Sequence, residues 1–466
     1  MSPYDRAPFI VIWETTRACA LACVHCRAEA IPYRDPGELS TDEARALLEA
    51  VGRFGDPPPL VVLTGGDPLR RPDLPELVAH GTRLGLSVSL TPSATGAATA
   101  ERLRALRDAG LARLAVSLDG ATAEAHDAFR RVRGSHRHTM RIVTSARALG
   151  LPLQINTTVS RDTVGELPAL ARQVESFGVA LWALFFLIPV GRAQAAQALD
   201  ADEIERVLEW AADEAARVPF GIKTTEAPHY QRVLTRRRSP APSAAAAPAG
   251  RVGRAPRAVT DGNGFLFVDH RGGIWPSGFL PVATGNVRDD DPVDVYRHHP
   301  LFRALRDPDR LRGRCGRCEY RDRCGGSRAR AYAATGDPLA EDPGCAWPPA
   351  AAPAIAGGSD AEPRAAGTAR PGDAVAVTPA DVTGALRGVL DPELGMSVVD
   401  LGLVYGIDVD GGAVRITMTL TAPGCPLHDV LSDWARAAVA RLPGVERVEV
   451  VLTFDPPWSP DRITRS

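Results

Sequence analysis

Lysine is almost absent from this chain. Of the 54 basic residues in 466, only Lys223 is not arginine. Together with the abundance of Ala and Pro, this reads as the coding bias of a GC-rich genome and carries no function by itself. An excess of either charge is also missing. The 54 basic and 56 acidic residues leave a net charge of −2, and no basic stripe marks a nucleic-acid surface. No apolar run approaches the roughly 18 residues that a membrane helix needs. The strongest, ALFFLIPV, reads as a buried strand. The opening MSPYDRAPFIVIWE lacks a charged segment leading into an apolar one, so no secretory signal is expected and the expected location is cytoplasmic. Internal repeats are absent. A disulfide framework is not indicated either. The eight cysteines fall into groups of three, four and one, which in a reducing compartment points to metal or redox chemistry.

What is present is an alternation. Short apolar runs, FIVIW (Phe9–Trp13), LVVL (Leu60–Leu63), SVSLT (Ser87–Thr91), LAVSL, LQINTTV and LWALFFL, are separated by amphipathic stretches such as TDEARALLEAVGRF. Thr41 is the expected cap of that helix. Strand–helix alternation predicts an α/β fold with parallel βα units. Six units in about 190 residues suit a partial, open (β/α)6 barrel of the TIM type, whose chemistry sits at the C-terminal strand ends. Residues 235–258 and 347–377 are rich in Ala, Pro and Arg or Gly and read as linkers. They divide the chain into a barrel (1–234), a cysteine-rich segment (259–346) and a small α/β domain (378–466).

Cys19, Cys23 and Cys26 form a Cys-x3-Cys-x2-Cys motif in the loop after the first strand. Three thiolates at this spacing can hold a four-iron cluster and leave one iron open. Structural zinc would need a fourth ligand, and His25, directly beside Cys26, is awkwardly placed to supply it. Thr64-Gly65-Gly66-Asp67-Pro68 follows the second strand, so both motifs fall on one rim. Together they resemble the radical S-adenosylmethionine (radical SAM) superfamily.

That resemblance implies a [4Fe–4S] cluster on the three cysteines and reductive cleavage of SAM to a 5′-deoxyadenosyl radical, which abstracts hydrogen from a substrate. It implies that Gly65, Gly66, Asp67 and Pro68 hold the methionine part of SAM, with Asp67 where the family more often has Glu. It places His25 near adenine, Ser117, Asp119 and Asn156 near ribose or carboxylate, and Pro189 and Val190 beneath the base. The Asp119-Gly120 pair also reads simply as a strand-end turn. Ile222–Tyr230 (IKTTEAPHY) gathers Lys223, Glu226, His229 and Tyr230. This is either a solvated turn before a helix or a catalytic set in which Glu226, His229 and Tyr230 bind substrate or quench a radical.

Cys315, Cys318, Cys324 and Cys345 could close a zinc site. Beside a radical SAM barrel they resemble the SPASM/Twitch extension, which holds auxiliary clusters. Ser277 and Arg328 stand where the full pattern has cysteines. The resemblance therefore implies one auxiliary [4Fe–4S] cluster, with every iron ligated by protein and suited to electron transfer. The C-terminal domain resembles the MIP18 (DUF59) family of iron–sulfur assembly factors through Asp391-Pro392-Glu393, MTLTAPGCPL and FDPPWSPDRI. Cys425 is there either an inert core thiol or a metal ligand, making it the eighth candidate ligand. The combined expectation is a radical SAM enzyme acting on a tetrapyrrole in haem-type biosynthesis or on a ribosomally made peptide. No peptide-recognition module precedes Phe9, which favours a small molecule. Flavodoxin or ferredoxin is the expected electron donor, and iron–sulfur assembly proteins are expected partners. The alternative is an iron–sulfur maturation or carrier protein whose clusters are cargo.

Overall fold

A computed structural model describes residues 4–237, 259–349, 377–387, 389, 397–420 and 444–459, with single positions among 432–442 and at 462. Each short apolar run becomes a strand, and each amphipathic stretch a crossover helix that returns the chain in parallel. In order these are β1 (Ile10–Glu14), α1 (Thr41–Gly52), β2 (Leu60–Thr64), α2 (Leu74–Arg83), β3 (Val88–Leu90), α3 (Ala100–Asp108), β4 (Arg113–Ser117), α4 (Ala123–Arg130), α5 (Ser135–Ala148), β5 (Leu153–Val159), α6 (Leu167–Ser176), β6 (Leu181–Phe186), α7 (Ala201–Arg217), β7 (Gly221–Thr225) and α8 (His229–Arg236). The cysteine-rich segment adds β8 (Phe265–Val268), β9 (Gly273–Trp275), β10 (Gly285–Asn286), α9 (Pro292–His298), α10 (Pro300–Arg306), α11 (Gly313–Arg317) and α12 (Arg328–Thr335).

The sheet runs β10-β9-β8-β1-β2-β3-β4-β5-β6-β7. Strands β1 to β7 and β8 are parallel; β9 and β10 return antiparallel. Two features go beyond the alternation count. A seventh strand, β7, pairs with β6 along Gly221–Thr225, so half of the IKTTEAPHY segment is neither turn nor loop. The cysteine-rich segment also shares the barrel sheet, because β8 pairs with β1. Residues Met1–Pro353 form one compact unit and Ala354–Ser466 a second.

Side chains alternate across the strands. On β1, Val11 and Trp13 join a core with Leu47 and Leu48 of α1, while Ile10 and Ile12 face the barrel cavity. Helix starts follow local chemistry. Ser40, one residue before the expected Thr41, caps α1 in a reciprocal box with Glu43, which satisfies amides the first turn would leave bare. Asp200 and Glu203 do the same for α7.

In the second unit, α13 (Pro379–Leu386) begins at a Thr378–Asp381 capping box. It packs with β11 (Val404–Asp410), β12 (Ala413–Met418) and β13 (Arg447–Leu452) around Val382, Leu386, Ile416 and Met418. The order is β11-β12-β13, the first pair antiparallel and the second parallel. Asp391-Pro392-Glu393 and Cys425 lie outside the described residues. Among the described residues, no helix is long and apolar enough to cross a membrane.

Candidate active site

The loop after β1 carries Cys19, Cys23 and Cys26, which pack with Leu21 and Ala30 in a small apolar cluster. Each sulfur has a defined neighbour. Cys19 Sγ lies 3.3 Å from Ser93 Oγ, Arg130 Nη1 lies 3.7 Å from Cys23 Sγ, and the Ala30 amide donates to Cys26 Sγ at 3.5 Å. All seven described cysteines are free thiols. Burial pushes the Cys19 thiol up.

The loop after β2 is sewn to the cysteine loop. The Gly66 amide donates to Thr16 O and the Asp67 amide to Ala18 O, both at 2.7 Å. A Cβ on Gly65 would stand 2.2 Å from Thr16 O, and one on Gly66 would stand 2.5 Å from both Arg17 O and Ala18 O. Gly65 also has φ +138°, open to glycine alone. The two glycines are therefore demanded first by the approach of two backbones, and they line the cavity as well.

That cavity has a volume of about 960 Å³ and runs from the three cysteines down the barrel interior. His25, Gly65, Gly66, Ser117, Asn156, Val190, Glu226 and Tyr230 all line it. His25 stacks on Phe129 with ring centroids 4.4 Å apart; burial, reinforced by Arg130, lowers its pKa to about 3, so the ring is neutral. The Tyr230 hydroxyl donates to Ala211 O at 3.3 Å.

Other residues singled out in the sequence lie elsewhere. Asp67 is fully buried and accepts from the Leu69 amide and from Thr95 Oγ1, so its carboxylate caps its own turn. Pro68 opens that turn beneath it. Asp119 is also absent from the cavity wall. It forms a buried ion pair with Arg130 and accepts from the Thr158 amide at 2.7 Å. Burial pushes this carboxyl up, but Arg130, the nearby His25 and His126 and the Thr158 amide together hold the group below the usual range. Pro189 is not in the wall, although Ile188 and Val190 on either side of it are.

His229 belongs to the second cysteine set. With Arg232, Asp342 and Trp347 it surrounds a smaller cavity lined by Cys315, Cys318, Cys324 and Cys345. Its Nε2 lies 3.0 Å from Asp342 Oδ2, an ion-pair contact without good hydrogen-bond alignment. Burial raises the Cys324 thiol, whereas Cys345 is lowered against its own burial by His229 together with the Trp347 amide and Arg232. The two positions where the full pattern has cysteine do structural work. Arg328 is fully buried and donates to Pro338 O, Ala340 O and Cys315 Sγ. Ser277 Oγ donates to Asp261.

The cavities are joined by a polar row. Ser327 Oγ donates to Glu226 Oε2 at 2.5 Å, and the Ser327 amide donates to Asp342 Oδ2 at 2.6 Å. Burial and the adjacent Asp261 carboxyl raise Glu226 well above the usual carboxylate range. Asp261, Ser327 and Asp342 were not singled out in the sequence; no motif contains them, and only the fold gathers them.

The donor sets fit iron–sulfur clusters. Each thiolate of a cubane meets a different iron, so the sulfurs need only surround one space. A single zinc ion would need four donors on one centre. Among the described residues, no three His, Cys, Asp or Glu groups close on one ion.

Residues 13–174 match the Radical SAM superfamily, and residues 379–450 match the family described as iron–sulfur cluster assembly protein. An AdoMet-dependent heme synthase of Oleidesulfovibrio alaskensis is 40% identical over 74% of this chain and 89% of its own. PqqA peptide cyclase of Rhodopseudomonas palustris is 30% identical over 73% of this chain and 88% of its own. The solved structure of SuiB from Streptococcus suis bound to S-adenosylmethionine shares the fold, with a TM-score of 0.57 at 15% identity over 73% of this chain and 77% of that one. The chain belongs to the radical SAM superfamily and is an enzyme of it, with an iron–sulfur cluster assembly domain following the barrel.

Proposed function

We propose that this enzyme cleaves SAM reductively at a [4Fe–4S] cluster on Cys19, Cys23 and Cys26, and that its substrate is a tetrapyrrole. The carrying observation is the single cavity of about 960 Å³ that reaches from the three thiols to Glu226 and Tyr230. It lies at the upper end of ordinary ligand pockets, about 300–1,000 Å³, and has room for SAM and a second bulky molecule. The heme synthase similarity favours a tetrapyrrole over a peptide.

When bound, cluster and SAM supply one-electron chemistry and a hydrogen-abstracting radical. The chain supplies placement. Gly65 and Gly66 present bare backbone to the cofactor, with Ser117, Asn156 and Val190 beside it. The Arg130 guanidinium stands against Cys23. Phe185, Phe186 and Phe279 in the wall exclude water, and Glu226 offers a proton. Cys315, Cys318, Cys324 and Cys345 hold an auxiliary [4Fe–4S] cluster that passes electrons, a role supported by four thiols around one space. The donor is a flavodoxin or ferredoxin of the cytoplasm, and the C-terminal domain delivers clusters.

The test uses anaerobically reconstituted protein with dithionite, SAM and a porphyrin carboxylate. The expected products are 5′-deoxyadenosine and a porphyrin of altered mass. Cys19, Cys23 and Cys26 changed together to Ala should abolish 5′-deoxyadenosine and leave the auxiliary iron in place. SAM cleavage that survives this change overturns the assignment.

A further inference from the structure

The one lysine of the chain, Lys223, lines the barrel cavity from β7, and Arg113 lines it from the start of β4. Strand register sets their surroundings. Ser117, Asn156, Ala183 and Lys223 are successive partners across β4, β5, β6 and β7. Arg113 Nη1 donates to Gln154 Oε1 at 3.4 Å, and Gln154 Nε2 donates to Asn156 Oδ1 at 2.7 Å, so a row of amides orients the guanidinium.

Of the other cations in the wall, Arg192 and Arg323 form no ion pair among the described residues, while Arg27 and Arg130 have acids of their own. Arg27 pairs with Glu14 at 2.7 Å, and Arg130 pairs with Asp119. Among the described residues, no carboxylate forms an ion pair with Arg113 or Lys223. Withdrawal from water, and then the charge of Arg113, lowers the Lys223 amine to about 8, and withdrawal from water alone lowers Arg113. Two like charges sharing one cavity are costly without a counter-ion.

We propose that Arg113 and Lys223 form an anion subsite that grips a carboxylate of the substrate. This rests on the tetrapyrrole reading and deepens it, because an apolar ring edged with carboxylates suits a cavity that is apolar at Ile12, Val62 and Phe267. SAM carries a carboxylate too. Arg113 opens β4, four residues before Ser117 and roughly 13 Å along the strand from the cysteine end, whereas Lys223 shares the row of Ser117 and Asn156, so titration with SAM alone is the arm that separates the two carboxylates.

The solitary lysine makes the test direct. Reductive methylation with ¹³C-formaldehyde labels Lys223 and the chain's N-terminal amine, and loss of a signal in Lys223→Met identifies the former. The holoenzyme is titrated with a metal-free porphyrin tetracarboxylate, with its tetramethyl ester and with SAM alone, while porphyrin absorbance reports binding separately. The free acid should move the Lys223 signal and raise its titration midpoint; the ester and SAM should not. Lys223→Met and Arg113→Met should each weaken binding of the acid about tenfold or more, the loss of one charge-assisted contact, and Lys223→Arg should retain it. A shift with SAM alone assigns the cations to the cofactor and overturns the proposal. So does an equal response to the ester. Porphyrin binding with an unmoved lysine signal overturns the subsite and leaves the tetrapyrrole reading standing. No porphyrin binding overturns both.

Discussion

Gly66→Ala isolates the contact between the two loops of the active site. At Gly66 a methyl would meet the Arg17 and Ala18 carbonyl oxygens at 2.5 Å, both of them backbone. Ordinary contact begins near 3.4 Å, so one loop must retreat by about 1 Å. Overpacking of this kind costs about 1–3 kcal/mol. The retreat also stretches the 2.7 Å bonds from Gly66 and Asp67 to Thr16 and Ala18, adding about 1 kcal/mol for each one lost. The expected total is about 2–5 kcal/mol, according to whether one or both bonds are lost. Because Cys19 directly follows Ala18, the strain falls on a ligand. Iron and sulfide per reconstituted chain should therefore drop by about half, with the auxiliary set retained. Gly52→Ala is the control, since nothing lies within 4 Å of its added methyl and helix propensity favours Ala. Full iron content with an unchanged denaturation midpoint in Gly66→Ala would show that the loops yield freely, and the reasoning would fail.

Asp342 takes contacts from His229, Arg330 and the Ser327 amide with no exposure of its carboxylate. Asp342→Asn strands a buried guanidinium and should cost about 3 kcal/mol in urea unfolding of the apoprotein; a loss under 1 kcal/mol would mean that water has taken over the pair. Asp119 has a lowered folded pKa, so its stabilisation is complete above the ordinary Asp value of about 3.9 and is lost as pH falls through the lower folded value. Wild type should consequently lose more stability than Asp119→Asn between about pH 5 and pH 2; parallel acid profiles would contradict this. Cys425→Ala should keep SAM cleavage after reconstitution in vitro while iron content on expression in cells falls. Inactivity after full reconstitution would place Cys425 in the chemistry.

Residues that declare themselves by covalent chemistry or by spacing were legible in the chain. Cys-x3-Cys-x2-Cys after a strand, Gly-Gly after the next and four further cysteines point to clusters because few other arrangements of thiols and bare backbone serve the same end. The parallel fold was legible for a similar reason, since alternating apolar runs and amphipathic helices leave few ways to bury both. β7 was not, because Lys223 and Thr225 point into a cavity and leave the strand without an apolar run. Nor was β11, whose YGIDVD is half polar and only partly covered.

Tertiary structure alone decided the partners. Asp67 and Asp119 sit in cofactor-like motifs, yet one caps a turn and the other neutralises Arg130. Their directions depend on Thr95 and Thr158, which lie 28 and 39 residues away. His229 and Tyr230 are adjacent in the chain and serve different cavities, because neighbouring residues on a helix point about 100° apart. The raised pKa of Glu226 comes from burial and from Asp261, against the opposing hydrogen bond of Ser327, and only the fold brings these groups together. Local sequence carries backbone preference and ligand type. Burial, charge pairing and the side chains that share a cavity are set between distant segments, and only folding brings those together.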